Sequence, residues 1–542
     1  MNDPQVSRRR FLEGSATLAA GLLLPALPRR ASGEEPRGGG AEDQRPNVIV
    51  MMVDDLGFSD LGCFGSEIRT PNLDALAANG VRGVNFQNTS RCCPSRACIL
   101  SGLYPHQTGV GYFAGAPSGP MAEYPGYQGR MCHPCVTMAE VLKTAGYATF
   151  GGGKWHVGED PRTRLGFDEA IDLPTMNYFL KEEPSEACYS TEVLGDWITA
   201  RIDKYGRQSK PFFAYYTPIA PHFPIQGLSR DAARYKGAYN AGPRATAEAR
   251  LARMRAMGLI DPAMPVHLPG AFDQQGRDDY LSKARCSTEL DGIRQPLTKD
   301  GAPKNKVVAR PVAYVEEAME IYAGMVECLD RNVGKVVAKL KELGIFDNTL
   351  FLFCSDNGCS AETDALRYPW TNVCNTPFRG SKIDSWFGGT ATPLLLHWPQ
   401  RLAPTARNSI NRTWGHLIDV MPTVLAATGC TYPAQDHAGR PVPPMEGRSL
   451  LPLLEGQTLP LEKPIFIEHF GNCALITEDW KLREGGESNN EPWELYDLRR
   501  DRFETQDLAA QHPERVAAME TEWNAIAARI GARREGRPRK PR

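Results

Sequence analysis

Three unbroken apolar runs frame this chain. Asn47-Val48-Ile49-Val50-Met51-Met52-Val53, Pro211-Phe212-Phe213-Ala214-Tyr215-Tyr216-Thr217 and Thr349-Leu350-Phe351-Leu352-Phe353-Cys354 carry apolar side chains at nearly every position. That pattern predicts strands covered on both faces, as in a parallel sheet. A shorter strand at 148–150 and another around 393–398 extend the set. Helical spacing fills the intervals. A helix is expected after Thr70 as N-cap, with Pro71 at its first position and Gly80 as its stop. Others are expected over 137–145, closed by Gly146, over 315–343, ending at Gly344, and over 416–429. Strands alternating with helices make the fold class α/β.

The pattern changes at both ends and once in the middle. Beyond Thr431 the chain is rich in Pro and Gly as far as Gly456. Short strands then follow at 464–469, 474–477, 480–483 and 494–498, with a last helix from about 513 to 529. This reads as a smaller α+β C-terminal domain over 431–530, behind a large domain over 46–430. Residues 227–311 form a polar insertion, usually a surface elaboration and otherwise a part that shapes a substrate cleft, with a charged helix expected over 246–258. Residues 531–542 read as a solvated basic tail.

The N-terminus carries Ser7-Arg8-Arg9-Arg10-Phe11-Leu12, an apolar run from Ala16 to Leu27, and Arg29-Arg30-Ala31-Ser32. This is the pattern of a twin-arginine (Tat) export signal over 1–32, with 33–45 as a flexible linker. The apolar run is short for a membrane span, and no later run reaches about 18 residues. The expectation is a periplasmic or secreted protein, exported by the Tat machinery, without a stable membrane anchor.

Composition narrows the partners. The 542 residues are 42% hydrophobic and 23% charged, with a formal net charge of −2. No global positive field attracts nucleic acid, so an anionic substrate must be held by local charge. The 14 cysteines could pair in an oxidising compartment, but the sequence does not assign the pairs. Cys132-His133-Pro134-Cys135 has zinc or redox spacing without evident partner ligands, and reads as a loop, with or without a disulfide.

The candidate chemistry sits where apolar strands stop. Asp54-Asp55 follow the first run, and Asp356-Asn357 follow the third. Lys154 and His156 follow Gly151-Gly152-Gly153, and His222 lies in a proline-stiffened loop after the second run. In open α/β sheets such strand ends converge on one site. Three carboxylates and an amide oxygen suit a hard cation, Ca²⁺ or Mg²⁺. Arg96, Lys154 and Lys382 supply positive charge, and His156 and His222 can move protons near neutral pH. Cys92-Cys93-Pro94-Ser95-Arg96 brings a thiol and a guanidinium beside this set. Proline is expected at the first helical position, which puts Cys92 at the mouth of a helix N-terminus, where an anion is favoured.

That last string, continued by Leu100-Ser101-Gly102, resembles the sulfatase signature Cys-x-Pro-Ser-Arg followed by Leu-Thr-Gly, with Ser101 in place of Thr. Trp480-Lys481-Leu482 and Glu494–Leu498 resemble the family's C-terminal pattern, and the segment from Tyr235 to Ile260 is similar to part of bacterial arylsulfatases. The resemblance implies an alkaline-phosphatase-like sandwich with a large central mixed sheet. It implies that Cys92 is converted to formylglycine by a maturation enzyme, and that the hydrated aldehyde is the nucleophile. Asp54, Asp55, Asp356 and Asn357 would ligate the cation together with residue 92. Arg96 and Lys154 would polarise the nucleophile. Lys382 and His222 would hold the sulfate and help the alcohol depart, and His156 would act as base in the last step. Two positions depart from the family, Ser381 where a glycine is usual and Phe387 where a glutamate is.

The implied function is hydrolysis of a sulfate monoester, on a small molecule or a glycan. Two alternatives stand beside it: a phosphonate or phosphate ester hydrolase with the same nucleophile, and a sulfated-glycan-binding protein without turnover if Cys92 stays a thiol. The alcohol portion is open between aryl, monosaccharide and polysaccharide. Glu468-His469-Phe470-Gly471-Asn472 reads either as a reach into the cleft or as a strand-end turn.

Overall fold

A computed structural model of the chain describes residues 45–115, 123–132, 134–181, 185–270, 285–289, 310–311, 315–361, 369–485 and 492–534. The expected export signal, the linker, most of the basic tail and much of the polar insertion lie outside the described residues.

The described residues belong to one compact unit, built on a mixed sheet. In chain order its strands are β1 (Asn47–Val53), β2 (Val81–Gln87), β3 (Ala148–Gly153), β4 (Glu169–Asp172), β5 (Phe212–Thr217), β9 (Thr349–Ser355), β10 (Ala391–His397), β11 (Ser409–Asn411) and β12 (Gly415–His416). Between β5 and β9 a small separate sheet holds β6 (Ile225–Gly227), β7 (Arg285–Thr288) and β8 (Arg310–Pro311). The large sheet is ordered β11-β2-β10-β9-β1-β5-β3-β4, with β12 also on β2. β10 runs antiparallel to β2 and β9, and the other neighbours are parallel. The expected α/β class with a mixed sheet is what the chain forms.

The apolar runs are the central strands because both faces are covered. On β1, Ile49, Met51 and Val53 join one hydrophobic core, and Val48, Val50 and Met52 join another. All six are 0% exposed. Burying each is worth about 1.5–3 kcal/mol, which pins the strand at the centre. The Ser190–Gly206 and Val315–Glu342 helices cover the first face. The Cys92–Ser101, Met138–Thr144 and Val420–Thr428 helices cover the second.

Local signals behave as their chemistry demands. Thr137 caps its helix by accepting from Glu140 N–H, and Glu140 returns the bond to Thr137 N–H. Thr70 precedes the Pro71–Ala78 helix, but its hydroxyl does not cap it. Asp330 from the long helix does so, accepting from the N–H groups of Leu73 at 2.8 Å and Asn72 at 3.1 Å.

The C-terminal strands β13 (Ile465–His469), β14 (Asn472–Ile476), β15 (Trp480–Glu484) and β16 (Glu494–Asp497) form an antiparallel sheet in sequence order, followed by the Pro513–Ile530 helix. Lys481 on β15 bonds Glu504 at 2.6 Å and lies 3.6 Å from the centroid of the Phe387 ring. Glu504 also accepts from Phe387 N–H. The aromatic ring at 387 is thus a surface on which this lysine rests.

The charged helix of the insertion, Gly242–Ala256, is not a surface addition. Its Arg250 is 0% exposed and bonds Asp60 at 2.6 Å and Glu67 at 2.7 Å, which ties the insertion to the loop that follows β1. Cys132 and Cys135 are free thiols in a loop, with Cys135 Sγ donating to Cys132 O.

Candidate active site

Every strand-end residue singled out from the sequence arrives in one place. The carboxyl ends of β1, β3, β5 and β9 are adjacent in the sheet, since β3 pairs with β5, β5 with β1 and β1 with β9. They deliver Asp54-Asp55, Lys154-His156, the His222 loop and Asp356-Asn357. The Cys92–Ser101 helix brings Cys92 and Arg96 from one face.

That helix starts two residues earlier than proline at its first position would require. Arg91 is the N-cap, and Pro94 falls within the first turn. The proline lacks an N–H where the helix has no acceptor to offer, so the earlier start costs nothing. Cys92 remains in the first turn and is 1% exposed.

Backbone strain marks the same spot. Asp55 has φ of 61° and His156 has φ of 50°, left-handed values that non-glycine residues hold only where packing enforces them. Gly153 has φ of 110°, and a Cβ placed there would sit 1.8 Å from the Thr217 carbonyl oxygen. Only glycine lets β3 end against β5 and turn Lys154 inward.

The polar groups interlock. Arg96 donates to Asp356 Oδ2 through Nε at 3.0 Å and Nη2 at 2.7 Å, and to Lys154 O at 2.6 Å. Lys154 Nζ lies 2.5 Å from Asp54 Oδ2. Lys382 Nζ and Asn357 Nδ2 both donate to Asp55 Oδ1, at 2.8 and 2.6 Å. His222 Nε2 is 3.7 Å from Asp55 Oδ2, and His156 Nδ1 is 3.4 Å from Cys92 Sγ.

These contacts set the charge states. The Cys93 thiol beside Cys92, with Lys154, Lys382 and His156 around it, holds the Cys92 thiol well below the ordinary thiol range against the opposing effect of burial. Burial alone would raise Asp54, but Lys154, His222 and Arg96 outweigh it and hold the carboxyl below its usual range. Burial and then the Lys154 charge push His222 down. Asp356 and Asp54 keep Arg96 charged although burial opposes it.

The residues present fit a hard cation. Asp54 Oδ1, Asp55 Oδ2 and Asn357 Oδ1 are buried oxygens without a hydrogen-bond partner among the described residues, a costly arrangement unless a ligand satisfies them. Ligand atoms of Asp54, Cys92 and Asp356 lie within 4.8 Å of one another, as do those of Asp54, Asp55 and His222.

Two features escaped the sequence, and a third was named there with two readings. Tyr178 donates to the His222 carbonyl at 2.7 Å and steadies that loop. Phe113 meets the His156 ring edge to face at 4.8 Å and is 43% exposed. Glu468 is engaged elsewhere, bonding His106 at 2.7 Å and accepting from Tyr127 at 3.1 Å. No spacing rule marks the first two, and Glu468 was legible only as part of a strand end.

Comparison with known proteins bears on the family and the fold. The sulfatase family profile matches residues 46–430. An uncharacterized sulfatase of Schizosaccharomyces pombe is 28% identical, over 91% of this chain and 95% of its own length. An arylsulfatase of Klebsiella aerogenes is 29% identical, over 76% and 92%. Among solved structures, Ps i-CgsB shares the fold with a TM-score of 0.64 at 22% identity, covering 91% of this chain and 94% of its own. A phosphonate monoester hydrolase of Agrobacterium radiobacter shares it with a TM-score of 0.58 at 19% identity, covering 90% and 96%.

Proposed function

The chain belongs to the sulfatase family of sulfate ester hydrolases, and on that premise we propose that it cleaves an aryl or carbohydrate sulfate monoester to alcohol and inorganic sulfate at Cys92. The observation that carries this reading is the set of three partnerless buried oxygens, on Asp54, Asp55 and Asn357, beside a residue-92 side chain ringed by Lys154, Lys382 and His156.

Asp54, Asp55, Asp356 and Asn357 would hold a divalent cation, Ca²⁺ or Mg²⁺, with residue 92. Bound there, it would supply positive charge against the sulfate oxygens. Formylglycine, made from Cys92, would supply a hydrated aldehyde as nucleophile in place of a thiol.

The chain's own groups divide the remaining work. Arg96, fixed on Asp356, and Lys154, against Asp54, keep positive charge at the nucleophile's side. Lys382 and His222 meet at the two oxygens of Asp55, where they hold the sulfate group. His222 gives the departing alcohol oxygen its proton. His156, with Nδ1 facing residue 92, takes the proton whose loss releases sulfate. Preorganised charge of this kind commonly accounts for about 3 kcal/mol per group.

Peptide mass spectrometry across Cys92, with turnover of an aryl sulfate, tests the reading. The expected result is a thiol-to-aldehyde mass change together with sulfate release. An unmodified thiol in active enzyme would overturn it. A second reading, phosphonate ester hydrolysis, is favoured by the shared fold of the phosphonate monoester hydrolase. Parallel rates on an aryl sulfate and an aryl phosphonate ester separate the two. We also place the mature protein in the periplasm or outside the cell, on the signal pattern of residues 1–32. N-terminal sequencing of exported protein checks that placement.

A further inference from the structure

A cavity of about 480 Å³ opens where the stretch just after the insertion's Gly242–Ala256 helix, strand β2 of the large sheet and the loops of the C-terminal sheet meet. It shares no residue with the catalytic cluster. Arg412 and Arg502 line it, with Trp414, Phe503, Leu259 and Ile260.

Arg502 is the unusual member. It is 9% exposed, and its Nε has no hydrogen-bond partner among the described residues. One of its other nitrogens donates to the Val84 carbonyl. Its guanidinium lies 4.9 Å from the centroid of Phe378, 5.9 Å from that of Phe503 and 6.0 Å from that of Trp414. Glu504, the carboxylate whose charge offsets it, is already bonded to Lys481 at 2.6 Å. Arg412 donates to the Gly258 carbonyl. A cation buried without a carboxylate in contact is expensive. Burial, with Arg412 nearby, brings the Arg502 guanidinium down to about 9.

We propose that this cavity binds a monoanionic amphiphile, its sulfonate or carboxylate head between Arg412 and Arg502 and its apolar body against Leu259, Ile260, Trp414 and Phe503. The single charge follows from the other lining groups: Arg499 lines the cavity too, but Asp497 at 3.2 Å and Asp479 at 3.6 Å already offset it. Asp261 and Glu478 also face the cavity and would repel a second negative charge. Both are already bonded to backbone N–H groups, of Ala263 and Leu461, and neither neutralises an arginine. Among the described residues no cysteine, histidine or hydroxyl side chain lines the cavity, which suits a site that retains its ligand.

Fluorescence titration of the full chain with 1-anilinonaphthalene-8-sulfonate tests the proposal, beside N-phenyl-1-naphthylamine, the same rings without the sulfonate. The expected result is saturable binding of the sulfonate that weakens about tenfold or more in Arg412→Gln, while the uncharged probe is unaffected and aryl sulfate turnover is unchanged. Arg412 is exposed, so this variant is expected to fold. Arg502→Gln should weaken binding as much, and a melting curve shows whether that variant is folded. Equal binding of the sulfonate by wild type and Arg412→Gln overturns the proposal, as does equal weakening of both probes. Sulfonate binding lost in Lys382→Met but kept in Arg412→Gln assigns the probe to the catalytic centre and overturns it too.

Discussion

At the scale of single residues, each side chain of the catalytic cluster touches at least one other member, so single substitutions have separable effects. Cys92→Ser keeps the packing but has no thiol to convert, and is expected to show no steady-state turnover above background in an aryl sulfate assay; a normal rate would refute the proposed chemistry. Asn357→Ala removes one of the three partnerless oxygens and the amide that donates to Asp55. It should weaken metal retention about tenfold or more, read as metal content after dialysis against a chelator. Lys382→Met should keep the metal but lose about 3 kcal/mol of barrier lowering, a hundredfold or so in kcat/KM. Asn357 was legible because it follows an apolar run that stops abruptly at a charge, Cys92 because it opens the Cys-x-Pro-Ser-Arg string, and Lys382 through the resemblance to the family. Tyr178 was not, because a tyrosine that steadies a loop through a backbone carbonyl looks like any core aromatic.

At the scale of elements, the ends of strands carry the candidate site and contribute to stability as well. Gly153→Ala would drive a methyl group into the Thr217 carbonyl at a backbone angle that disfavours any side chain. The expected cost is about 3 kcal/mol of unfolding free energy, with activity lost as Lys154 is displaced. Urea melts read the first and residual turnover the second. Arg250→Met leaves Asp60 a buried carboxylate without its counter-ion. Breaking such a pair typically costs about 3–5 kcal/mol, which a thermal melt would register as a large drop. The central strands were readable as apolar runs. β2 was not, because Arg82, Gly83, Asn85 and Gln87 interrupt it. Those polar groups are buried all the same, since Arg82 donates to Cys63 O and Asn408 and Asn85 to Arg412 O. Alternation cannot report a strand whose polar side is covered by later parts of the chain. Arg250 failed for the same reason, as its two acidic partners lie far away in sequence.

At the scale of the whole molecule, the buried ionisable groups outside the site set the response to acid. Burial holds His416 down to about 3 and His397 to about 4. The unfolded chain takes up these protons near pH 6.5 and the folded chain does not. Their contribution is therefore complete above that pH and is lost as pH falls toward 3 or 4. Asp419 and Asp330, raised by burial to about 6, act in the opposite sense, since the folded chain binds their protons first. His416→Asn preserves an acceptor for Ile418 N–H, which now bonds His416 Nδ1 at 3.3 Å. Between pH 7 and pH 5 it should lose about 2 kcal/mol less stability than wild type, measured by urea melts at both values. An equal loss would remove His416 from the account.

The depth of Cys92 fixes an order of events in the life of the protein. With 1% of its surface open, the thiol is out of reach of any other enzyme's active site once the sheet and its covering helices have closed. If Cys92 is converted as proposed, conversion therefore comes first, on a chain still unpacked, and folding seals the product in. On that proposal a molecule that folds before it is processed is a dead end, and protein overproduced faster than a maturation enzyme can work should accumulate as a well-folded, inert fraction.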